Sequence, residues 1–489
     1  MRRALLANRA TELGLIVLVA LIVVAAYTLA SLGKTASLPV NLGPFLAVVL
    51  GLFVLGHVAL RILAPRADPV LLPIAGLLNG IGYVVIVRLN HRQAALQAVW
   101  TLLGMAAFIA TLALVRHIRD LDRYRYLLGF GGVTMLLLPL LPGLGETING
   151  SRVWVHIGPL NFQPGEFAKV ALLIFAASYL AEKGVVLAEG DRRLGPLPLP
   201  DLRALGPVAL AWALSIVIMI AGHELGMGLL YFALFITMLY IGTGRRRYVA
   251  AGATLFGLAA VATYRSSPVL HERVTVWLDP WKTAQSSGYQ IVQAVFAFGA
   301  GGVSGTGLAL GSPTRIPAVQ TDFIFAAIGE ELGLVGTVAV LLAFLLIVGV
   351  GLRIAVRTDE PFAKLLAVGA SAIFGIQTFI IVSGVIRLLP LTGITLPFVS
   401  YGGSSLLTNY ILLALLLRIS DSSARTAAGG DGGWDAGGGG GGRGGSDGGG
   451  SDGGGSDGRG GGGSWGERGG GPGGGRAALG SARAVPARP

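Results

Sequence analysis

Apolar runs of membrane-spanning length recur along most of the chain and restrict its fold more than any other feature. The first, LIVLVALIVVAAYTLASL, follows MRRALLANRATELG without a break, and no short apolar core with a small-residue cleavage site precedes it. A hydrocarbon core about 30 Å thick takes about 20 apolar residues per helix. By that measure, spans are expected near residues 13–32, 44–63, 70–89, 96–115, 126–144 and 167–180. Six more are expected near 205–221, 225–241, 248–264, 323–352, 362–389 and 397–417. The expectation is an all-α polytopic membrane protein with about twelve transmembrane helices, the sixth being the shortest. No sheet is expected, because open strands cannot satisfy their backbone in lipid.

Composition agrees. Charged residues make up 13% of the chain, against about 25% in soluble domains. No cysteine is present, which excludes disulfides and thiolate chemistry. The net charge of +12 would suit a nucleic-acid partner, but the basic residues sit in short clusters between apolar runs. Topology explains that spacing better, and no nucleic acid is expected. Arg61, Arg66, Arg116, Arg119, Arg123, Arg125, Arg245 to Arg247, Arg353 and Arg357 fall on one side, while the short loops on the other side are poorer in basic residues, Arg88 and Arg92 being the exceptions there. The positive-inside rule then puts both termini in the cytoplasm. Residues 421–489 form a Gly-rich tract expected to be a disordered cytoplasmic tail.

Polar residues gather in the loops on the other side. In QTDFIFAAIGEELGLVG, Asp322 opens an apolar run that carries Glu330 and Glu331 further in. A charge at mid-bilayer costs roughly 2.5–3.5 kcal/mol on insertion scales, so a wet, acidic cavity around these carboxylates is expected. Asp322 would also serve as a helix cap. In NGSRVWVHIGPLNFQPGEFAKVALL, Glu166 and Lys169 share a helical face, either as a structural ion pair or as part of that cavity. Trp154, with Arg152, Asn149 and Gln163 nearby, suits either an interfacial aromatic or a sugar- or phosphate-binding surface. His223 and Glu224 interrupt two spans at a turn. Arg387 precedes the Gly/Ser-rich turn PFVSYGGSSLL, whose Ser404 region feeds the last helix and could receive an anion.

These stretches resemble the signatures of the SEDS family of bacterial shape, elongation, division and sporulation proteins, of the RodA and FtsW type. NGSRVWVHIGPLNFQPGEFAKVALL, GYQIVQAVFAFGAGGVSGTGL, TDFIFAAIGEELGLVG and PFVSYGGSSLL follow in the family's order. The resemblance implies a ten-helix core over residues 70–420 with a large extracellular loop at 265–321. Residues 1–69 then carry an extra N-terminal pair of helices. It further implies a peptidoglycan glycosyltransferase that polymerises lipid II on the outer face of a bacterial cytoplasmic membrane, working with a class B penicillin-binding protein.

In that family the aspartate of Thr-Asp-Phe-Ile-Phe is the essential acid/base residue, which places the role on Asp322. The Glu-x-x-Lys pair falls on Glu166 and Lys169. The usual Gln-Pro-Asp-Leu-Gly turn appears as GHELG, so Glu224 replaces aspartate. A second Asp-Pro common in the family is absent after Asp279–Pro280, where Thr283–Ala284 stands instead. Asp322 would take the proton of the attacking sugar hydroxyl, while Arg387, Lys169 and Arg152 are candidates to meet the leaving diphosphate. A divalent cation, Mg²⁺ or Mn²⁺, could share that task, although no ligand spacing defines a metal site. A lipid II flippase and a non-catalytic scaffold of the wall-synthesis complex are the alternatives.

Overall fold

A computed structural model describes residues 2–37, 42–148, 151–157, 160–189, 192–194, 197–199, 202–222 and 225–430. Most of the Gly-rich tail, with Asn149, His223 and Glu224, lies outside them.

The apolar runs fold as helices. Their order is α1 (Arg2–Thr35), α2 (Leu42–Leu63), α3 (Leu71–Leu89), α4 (His91–Leu114), α5 (Arg119–Arg123), α6 (Arg125–Leu137) and α7 (Pro164–Glu189). Then come α8 (Leu202–Ala221), α9 (Leu225–Thr243), α10 (Arg246–Ser266), α11 (Pro268–Leu278) and α12 (Tyr289–Gly301). The last three are α13 (Ile324–Arg357), α14 (Pro361–Val385) and α15 (Gly403–Gly430). Among the described residues, eight helices are long and apolar enough to cross a membrane, and three shorter apolar helices accompany them. The molecule is a multi-pass membrane protein. The short sixth run extends to the 26 residues of α7. Local signals set several ends: Asn90 caps α4 by accepting from the amides of Arg92 and Gln93, and Ser267 caps α11 with Pro268 in its first turn.

The core runs through α7, α9, α14 and α15. Phe374 stacks on Phe398 at 5.6 Å, and Phe398 meets Tyr410 edge-on at 5.4 Å. Such aromatic pairs add about 0.5–1.5 kcal/mol each beyond their buried area.

The expectation of no sheet does not hold outside the spans. Strands β1 (Gly145–Ile148), β2 (Ser151–Ile157) and β3 (Leu160–Phe162) form an antiparallel sheet in the order β1-β2-β3. A second hairpin joins β4 (Arg192–Leu194) and β5 (Leu197–Leu199). Both lie in loops between apolar helices, where the prohibition on open strands in lipid does not apply. In β2 the buried Val153 and Val155 alternate with Arg152, Trp154 and His156.

A break in α13 explains its glutamates. Gly333 stands at φ 67°, ψ −163° inside the helix, and the carbonyls and amides freed there pair with the glycine-rich run after α12. Thr306 N and Gly307 N donate to Glu330 O (2.9 Å) and Glu331 O (3.0 Å), while Leu334 N and Val335 N donate to Gly302 O (3.0 Å) and Val303 O (3.2 Å). Non-helical backbone among membrane helices is tolerated where protein satisfies it in this way. The apolar surface of α13 becomes exposed only at Leu334 (57%) and Val335 (64%), and residues 323–331 before them are buried. The glutamates therefore lie on the Asp322 side of the lipid-facing stretch. They do not line an open cavity, contrary to expectation. Glu331 pairs with Arg88 Nε at 2.5 Å, and Glu330 Oε1 accepts from Ser312 N at 2.6 Å. Arg88 Nη2 also donates to Gly311 O at 2.6 Å. Here the out-of-place Arg88 fastens the loop to α3.

A Cβ on Gly333 would sit 2.3 Å from Gly305 N. With its positive φ, Gly333→Ala is expected to cost about 1–3 kcal/mol, read as earlier thermal unfolding of the detergent-solubilised protein. Unchanged melting would show that the exchange of hydrogen bonds tolerates displacement.

Candidate functional site

Asp322 ends an irregular stretch before α13. Its amide donates to Ala318 O at 3.2 Å. The helix begins after Phe323 with no side-chain cap, so the Asp322 carboxylate is not consumed as one. Thr321 and the turn before α15 hold it in place: Ser400 Oγ donates to Thr321 O (2.6 Å) and Tyr401 N to Gln320 O (2.8 Å). Ser400 Oγ in turn accepts from Leu396 N at 2.8 Å.

Gly393 and Arg273 lie in the neighbourhood of the carboxylate. Gly393, at φ 75°, leaves space where a Cβ would lie 3.8 Å from Asp322 Oδ2. Arg273 of α11 donates from Nη1 to Leu391 O (3.3 Å) and Thr392 O (3.5 Å), and lies near enough to act on Asp322. The carboxyl is half-buried. Desolvation by the surrounding protein pushes its pKa up to about 6, against the pull of a hydrogen bond with Thr321 and the Arg273 charge. At pH 7 such a group is still mainly ionised, and it is a stronger base than an ordinary aspartate.

Glu166 and Lys169 close on each other. Lys169 Nζ donates to Glu166 Oε2 (2.6 Å) and to Gln377 Oε1 (3.0 Å), and Thr408 Oγ1 donates to Glu166 Oε2 (3.2 Å). Lys169 is 0% and Glu166 2% exposed. Ser404 joins the same neighbourhood by accepting from Gln163 N at 3.0 Å. The loop at 390–402 links the two places. Thr392 and Gly393 stand by Arg273 and Asp322, while Thr395 O accepts from Gln377 Nε2 at 2.8 Å. Gly226, two residues after Glu224, packs where a Cβ would meet Thr392 O at 2.6 Å.

The remaining candidates make contacts within the protein. Arg387 Nη2 donates to Trp277 O (3.1 Å) and Leu278 O (3.4 Å), carbonyls at the C-terminal end of α11, while Trp277 Nε1 donates to Arg387 O (3.0 Å). Arg387 and Arg273 thus dock α11 on the loop that approaches Asp322. Arg152 ties the small sheet down through Nη2 to Leu141 O (3.2 Å) and through its amide to Gly222 O (2.9 Å). Trp154, half-buried, pairs across the sheet with Glu146. Among the described residues no three His, Asp or Glu side chains converge as a metal group.

The FtsW/RodA/SpoVE family of cell cycle proteins matches residues 78–425. The chain belongs to that family. Family relatives include the peptidoglycan glycosyltransferase RodA of Mycobacterium tuberculosis, 42% identical over 430 residues that cover 86% of this chain and 92% of the relative. The stage V sporulation protein E of Bacillus subtilis is 37% identical over 290 residues, covering 58% and 76%. Among solved structures, one describing the structural coordination of polymerization and crosslinking by a peptidoglycan synthase complex aligns with a TM-score of 0.62. Its identity is 25%, and the alignment covers 73% of this chain and 98% of that one. The Thermus thermophilus rod shape determining protein RodA aligns with a TM-score of 0.53 at 24% identity, covering 72% and 96%, and shares the fold.

Arg273, on a short loop helix remote from the motifs, is not a candidate by sequence. Its signal was there only as a basic residue inside the large loop. Arg273→Met removes a charge that lowers the Asp322 pKa, so the acid limb of the rate profile is expected to move to higher pH. An unmoved limb would separate the two residues.

Proposed function

We propose that this chain is a peptidoglycan glycosyltransferase that polymerises lipid II into glycan strands, with Asp322 as the base. The observation that carries the reading is the setting of Asp322. Its carboxylate is half-buried, not engaged as a cap and beside the gap left by Gly393, with its basicity raised and Arg273 close by. Glycan extension needs a sugar hydroxyl to attack an anomeric carbon and expel a lipid diphosphate. Asp322 takes the hydroxyl proton as the new glycosidic bond forms, and the bond from the anomeric carbon to the diphosphate oxygen breaks. Such general-base help is worth roughly 10²–10⁴ in rate. Arg273 is a cation whose charge reaches Asp322, and it stabilises negative charge on the leaving group.

The basic clusters at the opposite ends of the helices support a cytoplasmic placement for both termini and an outward-facing Asp322. The relatives named for peptidoglycan synthesis support the wall as the setting. The complex that coordinates polymerisation with crosslinking supports a class B penicillin-binding protein as partner.

Purified chain supplied with lipid II in detergent, with and without the transpeptidase, tests this reading. Polymer is expected in the absence of any compartment. Transport across liposomes without polymer in either assay would favour a flippase instead.

A further inference from the structure

A cavity of about 420 Å³ lies between the N-terminal pair and the core, away from Asp322. That volume is within the range of small-molecule sites, about 300–1,000 Å³. It holds on the order of a dozen methylenes if each takes about the 30 Å³ of a water. Helices α1 and α2 contribute Val23, Val49, Leu52 and Phe53, and α4 contributes Ala95 and Ala98. The pair meets the core through its own small apolar cluster, which includes Ile16, Val19, Phe53 and Val84, and the cavity is left beside it. At its deep end the polar groups satisfy one another: Asn79 Nδ2 donates to Tyr410 OH (3.1 Å), and Thr101 Oγ1 to Asn79 Oδ1 (3.3 Å). The walls elsewhere are largely aliphatic or aromatic.

The other end is basic. His91, which lines the cavity at the α3–α4 turn, is exposed, as is the adjacent Arg92. Lys34, also exposed, places Nζ 3.4 Å from Arg88 O at the same turn. The carboxylate nearby, Glu331, is already paired with Arg88. Basic side chains thus cluster at one end of this largely apolar space.

We propose that this cavity binds an anionic phospholipid from the leaflet on the Asp322 side. One acyl chain fills the apolar space, and the phosphate meets Lys34, His91 and Arg92. The proposal does not depend on the glycosyltransferase reading, since none of these residues belongs to the Asp322 site.

The test uses the full chain in nanodiscs doped with phosphatidylglycerol carrying a photoreactive group on one acyl chain. Labelling is expected to concentrate on the α2 and α4 walls around Val49, Ala95 and Ala98. It should fall at least several-fold in Ala98→Trp, which fills the space, or in Val49→Trp from the opposite wall should the first variant fail to fold. The matching phosphatidylcholine probe is expected to label several-fold less, and Lys34→Gln with Arg92→Gln should narrow that difference. Labelling spread evenly over the lipid-facing helices, or equal with both headgroups, would overturn the proposal. Displacement of the probe by a polyprenyl diphosphate would also overturn it, assigning the cavity to the tail of a substrate.

Discussion

Asp322→Asn is expected to abolish lipid II polymerisation, a loss of at least roughly 10²–10⁴ in rate, while the protein folds and inserts. The two effects separate because of the sign of the pKa change. The folded protein raises the Asp322 pKa from 3.8 to about 6, so it binds that proton more tightly than the unfolded chain does. The ionised form therefore costs stability, which is lost as pH rises from about 4 to 6 and stays lost at pH 7. An amide of the same shape removes that cost, and the variant should melt no lower than the parent at pH 7. Retained polymer would remove Asp322 from the base role. Joint loss of activity and thermal stability would make it a structural residue.

The second large effect is on stability. Lys169→Met is expected to destabilise the protein by roughly 3–5 kcal/mol, the usual cost of leaving one member of a buried pair uncompensated. Here the orphan would be Glu166, 2% exposed and left with Thr408 Oγ1 alone among its side-chain donors. Adding Glu166→Gln should recover part of the loss, since no buried charge then remains. Thermal unfolding of the three variants completes a double-mutant cycle, and a near-zero coupling would contradict the geometry. If the double variant folds and still polymerises, the pair serves the framework. If it folds and does not, the pair serves the substrate.

The helical bundle was legible in the sequence because lipid imposes its own ruler, about 20 apolar residues per span. The ruler is silent in the loops, and there the reading missed the β1-β2-β3 sheet, although Val153 and Val155 alternate with polar neighbours. It also treated the run after Phe323 as one helix. Gly333 breaks that helix, and the break is set by backbone partners in the 302–307 run, remote in sequence. Glu330 and Glu331 are accordingly buried and paired with the Ser312 amide and Arg88, with no open cavity around them.

Within the site, Asp322 could be singled out by its place at the mouth of a span. The partners of the arginines could not. A guanidinium reaches whichever carbonyls the tertiary fold presents: α11 for Arg387, and the 391–392 backbone for Arg273. Glu224 and Asn149 fall outside the described residues.

Catalysis requires an ionised carboxylate at Asp322 that receives a proton from the saccharide. The pH dependence of polymerisation by the purified wild-type chain tests this most directly. An acid limb with its midpoint near 6 is expected, following the Asp322 carboxyl. A rate that stays level from neutral pH down to about 4, near the ordinary aspartate value, would contradict it.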